Sequence, residues 1–199
     1  PDFVLYQDAQ VIENPVDQTT LTQRYTAESL RFIEENQNHP FFLYLPHSFP
    51  HVPLFVSDEF ENQSEAGLYG DVVETIDWSM GEIFDKLKEL EIDEQTMVIF
   101  TSDNGPWFEG SSGQFRNRKG SSWEGGLRVP FIARWPGVIP IGSHSSEAAM
   151  NIDILPTLLD FADVPLPDER TIDGASIRGI LSKNEKTPHE KLYLFNNDR

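Results

Sequence analysis

The stretch Met97-Val98-Ile99-Phe100-Thr101-Ser102-Asp103-Asn104-Gly105 constrains this chain more than any other. An apolar run of strand length stops abruptly at a carboxylate, an amide and a glycine. Residues 96–101 read as a buried strand, and the polar end reads as its exit loop. In an open α/β sheet, ligands collect beyond the carboxyl ends of the strands. Asp-Asn-Gly is also a plain turn signal. Its chemical reading is a hard-cation site, because an Asp carboxylate and an Asn carbonyl supply the oxygen ligands that calcium and magnesium take. Two ligands do not complete a shell, so the others must come from elsewhere. Further along, Arg116, Arg118 and Lys119 hold three of the chain's 15 Lys and Arg residues. Such a cluster is either a solvated surface run or an anion site. Cations beside a metal end suit a tetrahedral oxyanion such as sulfate or phosphate.

Composition narrows the classes. The 199 residues suffice for one domain with a sizeable core. With 38% hydrophobic and 24% charged residues, the chain is globular in composition rather than disordered. A net charge of −18 argues against nonspecific nucleic-acid binding and against an anionic membrane surface. No apolar run approaches the roughly 18 residues that a bilayer span needs, so no membrane insertion is expected. No basic n-region with an apolar h-region marks a signal peptide. The absence of cysteine excludes disulfides, thiolate metal sites and a Cys nucleophile within the chain. Asn62-Gln63-Ser64 is a glycosylation triplet that matters only in a secretory setting.

The hydrophobic pattern predicts alternating helices and strands. Residues 1–18 read as irregular, with Val11-Ile12 a short strand. A helix follows from a Thr19 or Thr20 cap to about Asn36, with Leu21, Tyr25, Phe32 and Ile33 at helical spacing. Phe41 to Leu45 read as a buried strand, followed by the Pro-rich loop 46–53. Val72, Val73, Ile76, Met80, Ile83, Phe84, Leu87 and Leu90 form one stripe of a second helix over 65–90. Residues 129–135 read as another strand, with Pro130 near its start. Asn151 or Asp153 caps a helix with Pro156 in its first turn and Leu155, Leu158, Leu159 and Phe161 on one face. Residues 191–195 look like a strand cut short. The expected architecture is an α/β three-layer sandwich with a mainly parallel sheet. Parallel neighbours would bring loops 46–53 and 102–126 to one edge, setting His51 beside Asp103, Asn104 and Lys119. A His beside an anion can protonate a leaving oxygen or hold a charged ester. His47 reads as a packing or surface residue.

The segments Phe41–Leu45 with Pro50-His51-Val52-Pro53, Phe100–Gly105, Arg118–Pro130 and Asp153–Asp160, with the later turn Asp173-Gly174, resemble the sulfatases. The likeness is to the arylsulfatase-like branch of the alkaline-phosphatase superfamily. It covers nearly the whole chain in order, and its most specific piece runs from Lys119-Gly120 to Glu124-Gly125-Gly126. The resemblance implies that Asp103 and Asn104 are two ligands of a divalent cation, usually calcium. It implies that Lys119 contacts the sulfate ester, and that His51 contacts the sulfate and assists the leaving group. Glu124, Gly125 and Gly126 are read as shaping the loop. A sulfated small molecule or sulfated glycan is the implied substrate, and the family is mostly exported or lysosomal.

One departure stands out. Family members use a formylglycine, made from Cys or Ser, followed two positions later by Pro, then by a small residue and often an Arg. Ser48-Phe49-Pro50 has the first spacing, but His51 and Val52 follow, so the motif fails. The acidic pair that completes the metal site has no counterpart either. Both are expected upstream of Pro1. The chain therefore reads as a truncated alkaline-phosphatase-like domain, with 1–190 the latter part of the catalytic domain and 191–199 the start of a C-terminal subdomain. Alone it is expected to be inactive and to bind calcium weakly. The alternatives are a related phosphoester or phosphonate hydrolase of the same superfamily, and an inactive binding module. Intact His51, Asp103, Asn104 and Lys119 argue against the latter.

Overall fold

The structure, a computed structural model, describes residues 3–194. The described residues form two compact units that divide between Asp93 and Glu94. The first is built on two helices, α1 (Leu21–Asn36) and α2 (Gly67–Glu89), close to the expected spans. A hairpin of β1 (Leu5–Gln7) and β2 (Gln10–Glu13) precedes them. Asp8, at φ +53°, turns the hairpin, and β2 contains the expected Val11-Ile12 strand. Before α1, the Asp17 carboxylate accepts the Thr19 amide at 3.0 Å and caps a single 3-10 turn, Gln18–Thr20.

The two helices bury Leu21, Ile33, Val72, Ile76, Ile83 and Leu87. Full burial of each such side chain is worth about 1.5–3 kcal/mol. Between these apolar groups runs a seam of small polar residues, Thr22, Thr26 and Ser29 of α1 with Thr75 and Ser79 of α2. The hydroxyls of Thr26, Ser29, Thr75 and Ser79 are satisfied internally. Thr26 Oγ1 donates to the Thr22 carbonyl at 2.7 Å and lies 2.6 Å from Ser79 Oγ. The sequence stripe is right except at Val73, which is exposed. Val73 adjoins Val72 in sequence, and a helical step of about 100° carries it off the buried face.

Asp71, buried at the start of α2, accepts the backbone N–H groups of Asn62, Gln63 and Ser64 at 2.7–3.0 Å. The Ser64 N–H foremost, with those of Asn62 and Gln63, holds its carboxyl below the usual value of 3.8, against the opposing effect of burial.

Residues 41–45 do not form a ladder among the described residues. Their burial nevertheless alternates. Phe42 and Tyr44 are 70% and 76% exposed, while Phe41, Leu43 and Leu45 are half-buried. That period of two belongs to a strand, and Phe41 stacks edge-on against Phe32 at 5.8 Å.

The second unit carries β3 (Val98–Thr101) and β4 (Phe131–Arg134). They pair antiparallel, with Val98 opposite Arg134 and Thr101 opposite Phe131. The expected mainly parallel sheet is not seen among the described residues, whose two ladders are small and antiparallel. A parallel pair needs a full crossover, and segment 102–130 contains only the one-turn α3 (Glu124–Leu127). A 3-10 turn, Asn151–Asp153, leads into α4 (Ile154–Phe161), and α5 (Arg178–Lys183) follows. The buried positions of α4 are Pro156 and Thr157, whereas Leu155 is exposed. The expected Leu face is thus only half-covered. Residues 191–194 are not a strand, and Phe195 lies outside the described residues.

Candidate active site

β3 ends at Thr101, and Ser102-Asp103-Asn104-Gly105 turns away from it. The turn is internally bonded: Asn104 Nδ2 lies 2.5 Å from Asp103 Oδ1, and Ser102 Oγ donates to the Asn104 carbonyl at 3.3 Å. Asn151 reaches back to hold it, its Nδ2 donating to the Ser102 carbonyl at 2.9 Å. Asp103 is exposed and Asn104 half-buried.

Backbone packing brings this turn to the basic cluster. Gly105 N donates to the Gly126 carbonyl at 3.0 Å, Gly125 N to that of Arg116 at 2.9 Å, and Lys119 N to that of Pro106 at 3.0 Å. Only glycines allow the approach. A Cβ on Gly105 would lie 2.2 Å from the Gly125 oxygen, one on Gly125 2.1 Å from the Asn117 oxygen, and one on Gly126 2.5 Å from the Arg118 oxygen. Glu124, the first residue of α3, pairs with Arg128 one turn on, at 2.5 Å. The loop-shaping role expected of Glu124, Gly125 and Gly126 thus has a physical basis.

The three cations divide their tasks. Arg118 is a structural pin, its Nη1 donating to the carbonyls of Trp107 at 3.0 Å and Gly110 at 2.5 Å. Arg116 lies over the Trp123 ring at 3.7 Å. The Lys119 ammonium makes no ion pair among the described residues. It lines an open cleft of about 540 Å³ with Trp107, Phe108, Ser112, Asn117 and Arg118. An uncommitted cation in an accessible cleft can take an anion.

Behind the turn is a buried hub that sequence reading treated only as a helix cap. Asp153 is 0% exposed. Its Oδ2 accepts the Met150 N–H at 2.7 Å; its Oδ1 accepts the Ala175 N–H at 2.9 Å and lies 2.8 Å from His189 Nε2. Thr157 Oγ1 donates to the Asp153 carbonyl at 2.6 Å and accepts the Ile177 N–H at 3.0 Å. Asn151, whose amide holds Ser102, is the first residue of the turn this hub closes.

His51 belongs to the first unit. It is exposed and borders a cleft with Phe3, Val16, Tyr25, Ser48 and Phe49. Its Nδ1 lies 2.7 Å from the Val52 carbonyl. A carbonyl only accepts, so Nδ1 carries the proton and Nε2 is left for a partner. His47 is different. Both ring nitrogens are buried without a hydrogen-bond partner, and burial lowers its pKa below 6.5. The packing role expected of His47 agrees with a neutral ring.

Asp103 and Asn104 also meet a simple test for a hard cation. Their polar heads already touch, and rotating the Asn104 amide by half a turn sets its oxygen beside the carboxylate. The donor chemistry fits, as part of a shell. Among the described residues no group of three or more His, Cys, Asp or Glu could hold a metal. No helix among them is long and apolar enough to cross a membrane.

Sequence reasoning passed over Trp107 and Phe108, two exposed aromatics directly after Asp-Asn-Gly-Pro. Their position in a polar loop was the available signal. It read Asn151 only as a helix cap and passed over His189; the partners of both are distant in sequence and leave no local mark.

A family model described as Sulfatase matches residues 2–164. The chain is 39% identical to the steryl-sulfatase of Homo sapiens, over 97% of this chain and 35% of that protein. It is 39% identical to an arylsulfatase of Hemicentrotus pulcherrimus, over 98% of this chain and 36% of that protein. It is 36% identical to the N-acetylgalactosamine-6-sulfatase of Sus scrofa, over 99% of this chain and 41% of that protein. The chain thus spans little more than a third of the length of these curated relatives. Among solved structures, the PsFucS1 sulfatase from Pseudoalteromonas sp. matches with a TM-score of 0.85 and 31% identity, over 95% of this chain and 40% of that one. With the family model covering most of its residues, the chain belongs to the sulfatase family.

Proposed function

We propose that the protein is a sulfuric ester hydrolase, and that this chain supplies the latter part of its catalytic domain. The observation that carries the reading is the backbone-locked loop that joins Asp103-Asn104 to Lys119 within one unit of a sulfatase-family chain. Asp103 and Asn104 would hold a divalent cation, calcium by family precedent. Bound there, it would polarise the ester and favour a nucleophilic oxygen, which in this family comes from a formylglycine expected outside this chain. Lys119 stabilises the charged sulfate oxygens. A bond from the nucleophilic oxygen to sulfur would form as the bond from sulfur to the leaving oxygen breaks. By the family resemblance, the proton for that leaving oxygen would come from His51, whose Nδ1–H is committed to the Val52 carbonyl and whose Nε2 is left for a partner. Sulfated small molecules or glycans are the substrate class.

The test is an assay of the protein expressed from its complete coding sequence with a formylglycine-generating enzyme. Matched aryl sulfate and aryl phosphate esters are compared with and without chelator. Chelator-sensitive preference for the sulfate is expected. Preference for the phosphate would move the protein to the phosphoester hydrolases of the superfamily, and loss of both activities would remove the hydrolase reading.

A further inference from the structure

The cleft beside Lys119 has a second wall that the proposed chemistry does not use. Trp107 and Phe108 are 47% and 70% exposed, and their rings meet edge to face at 4.8 Å and 82°. Two large aromatics open to solvent in a mostly polar loop give up the stabilisation that burial would bring. The loop also holds them in place. Arg118 donates to the carbonyls of Trp107 and Gly110 and lies over the Phe108 ring at 5.7 Å, and Lys119 N holds the Pro106 carbonyl at 3.0 Å. The same contacts thus fix the backbone that carries the aromatic pair and Lys119. A rigid aromatic face with an uncommitted cation in one cleft selects a ligand that is flat and apolar at one end and anionic at the other.

We propose that Trp107 and Phe108 form the leaving-group subsite, and that it takes the flat face of a ring bearing the sulfate, with the sulfate directed to Lys119. This rests on the reading of Lys119 as the sulfate-binding cation. The ring is either an aryl group or the C–H face of a pyranose, and both stack on indole. An unbranched alkyl chain has no such face.

Binding of uncleavable sulfonates to the complete protein tests this without relying on turnover. Benzenesulfonate, a pyranose 6-sulfonate and propane-1-sulfonate are titrated calorimetrically into wild type, Trp107→Ala, Trp107→Phe and Phe108→Ala. Because both aromatics are exposed, truncation does not open the core. At least one ring sulfonate should bind wild type about tenfold more tightly than propane-1-sulfonate, the scale of one lost stacking contact on truncation. Trp107→Ala should abolish that advantage without altering propane-1-sulfonate binding, and Trp107→Phe should keep most of it. The ring with the larger advantage identifies the leaving group. Equal binding of ring and chain, or an advantage that survives both Ala variants, would overturn the subsite. Loss of all sulfonate binding in Lys119→Ala supports the shared cleft. A protein that binds ring sulfonates as expected yet hydrolyses no sulfate ester keeps the subsite and loses the hydrolase reading.

Discussion

Adding a single methyl group at Gly125 tests the loop that holds the site together. The Cβ of Gly125→Ala would lie 2.1 Å from the Asn117 oxygen and 2.6 Å from the Arg116 oxygen. Carbon and carbonyl oxygen meet at about 3.3 Å at the closest, so the backbone of one strand of the loop must move by roughly 1.2 Å. Both obstacles are main chain, so no rotamer change relieves the clash. Overpacking of this kind costs about 1–3 kcal/mol, and the upper end is expected here. Relief of the clash pushes Arg116–Lys119 away from Asp103-Asn104, because the Gly125 N–H holds the Arg116 carbonyl at 2.9 Å. A misplacement near 1 Å in an active site can cost about 10²-fold in rate. The assay is kcat/KM for an aryl sulfate in the complete protein, alongside denaturant unfolding. Gly81→Ala is the control. A Cβ there meets nothing within 4 Å, and the site is an exposed helical position where Ala is favoured by up to about 1 kcal/mol. Gly125→Ala should lose about 10²-fold in kcat/KM while Gly81→Ala loses nothing. A Gly125→Ala protein with wild-type kcat/KM and stability would refute the claim that backbone contact positions Lys119.

Two further predictions concern stability. Asp153→Ala leaves the Met150 and Ala175 N–H groups and His189 Nε2 without their acceptor in a fully buried site; at about 1–3 kcal/mol per orphaned group, partly relieved by relaxation, a loss of roughly 3–5 kcal/mol is expected from chemical denaturation, and a loss below 1 kcal/mol would mean that the hub is dispensable. The carboxyl of Asp71 is held below 3.8 in the folded protein, so its contribution is complete above that value and is lost as pH falls through the lower folded value; Asp71→Asn should therefore reduce the pH dependence of unfolding below about pH 4, and an unchanged acid limb would count against the three backbone bonds as its cause.

The sequence was most legible where period and local chemistry agree. The α2 stripe from Val72 to Leu87 found its buried face because helical spacing is written residue by residue. The strand over 96–101 came out within two residues of β3, since an apolar run closed by Ser-Asp-Asn-Gly has few other readings. Strand direction was not legible. Nothing local tells β3 to accept an antiparallel neighbour across residues 102–130, so the parallel expectation rested on helix–strand alternation alone. Phe41–Leu45 shows the same gap from the other side. Its alternating burial is strand-like, but a strand is defined by its partner, and the described residues provide none. Of the proposed site, Asp103, Asn104 and Lys119 stand out in the sequence as residue types that follow a strand end. The reason they sit in one loop cluster, three glycines in contact with carbonyl oxygens, is a tertiary fact. The Asn151 bond to Ser102, the His189 contact with Asp153 and the Trp107–Phe108 wall lay beyond sequence reading because each arises from contacts made by the fold.

The most direct measurement is the rate of aryl sulfate hydrolysis by the complete protein, expressed with a formylglycine-generating enzyme, as wild type and as Lys119→Ala, each with and without chelator. The account predicts chelator-sensitive turnover in the wild type and a loss of about 10²–10³-fold in kcat for Lys119→Ala, the size expected when one charge-stabilising donor is removed. Turnover indifferent to both chelator and Lys119 would contradict it.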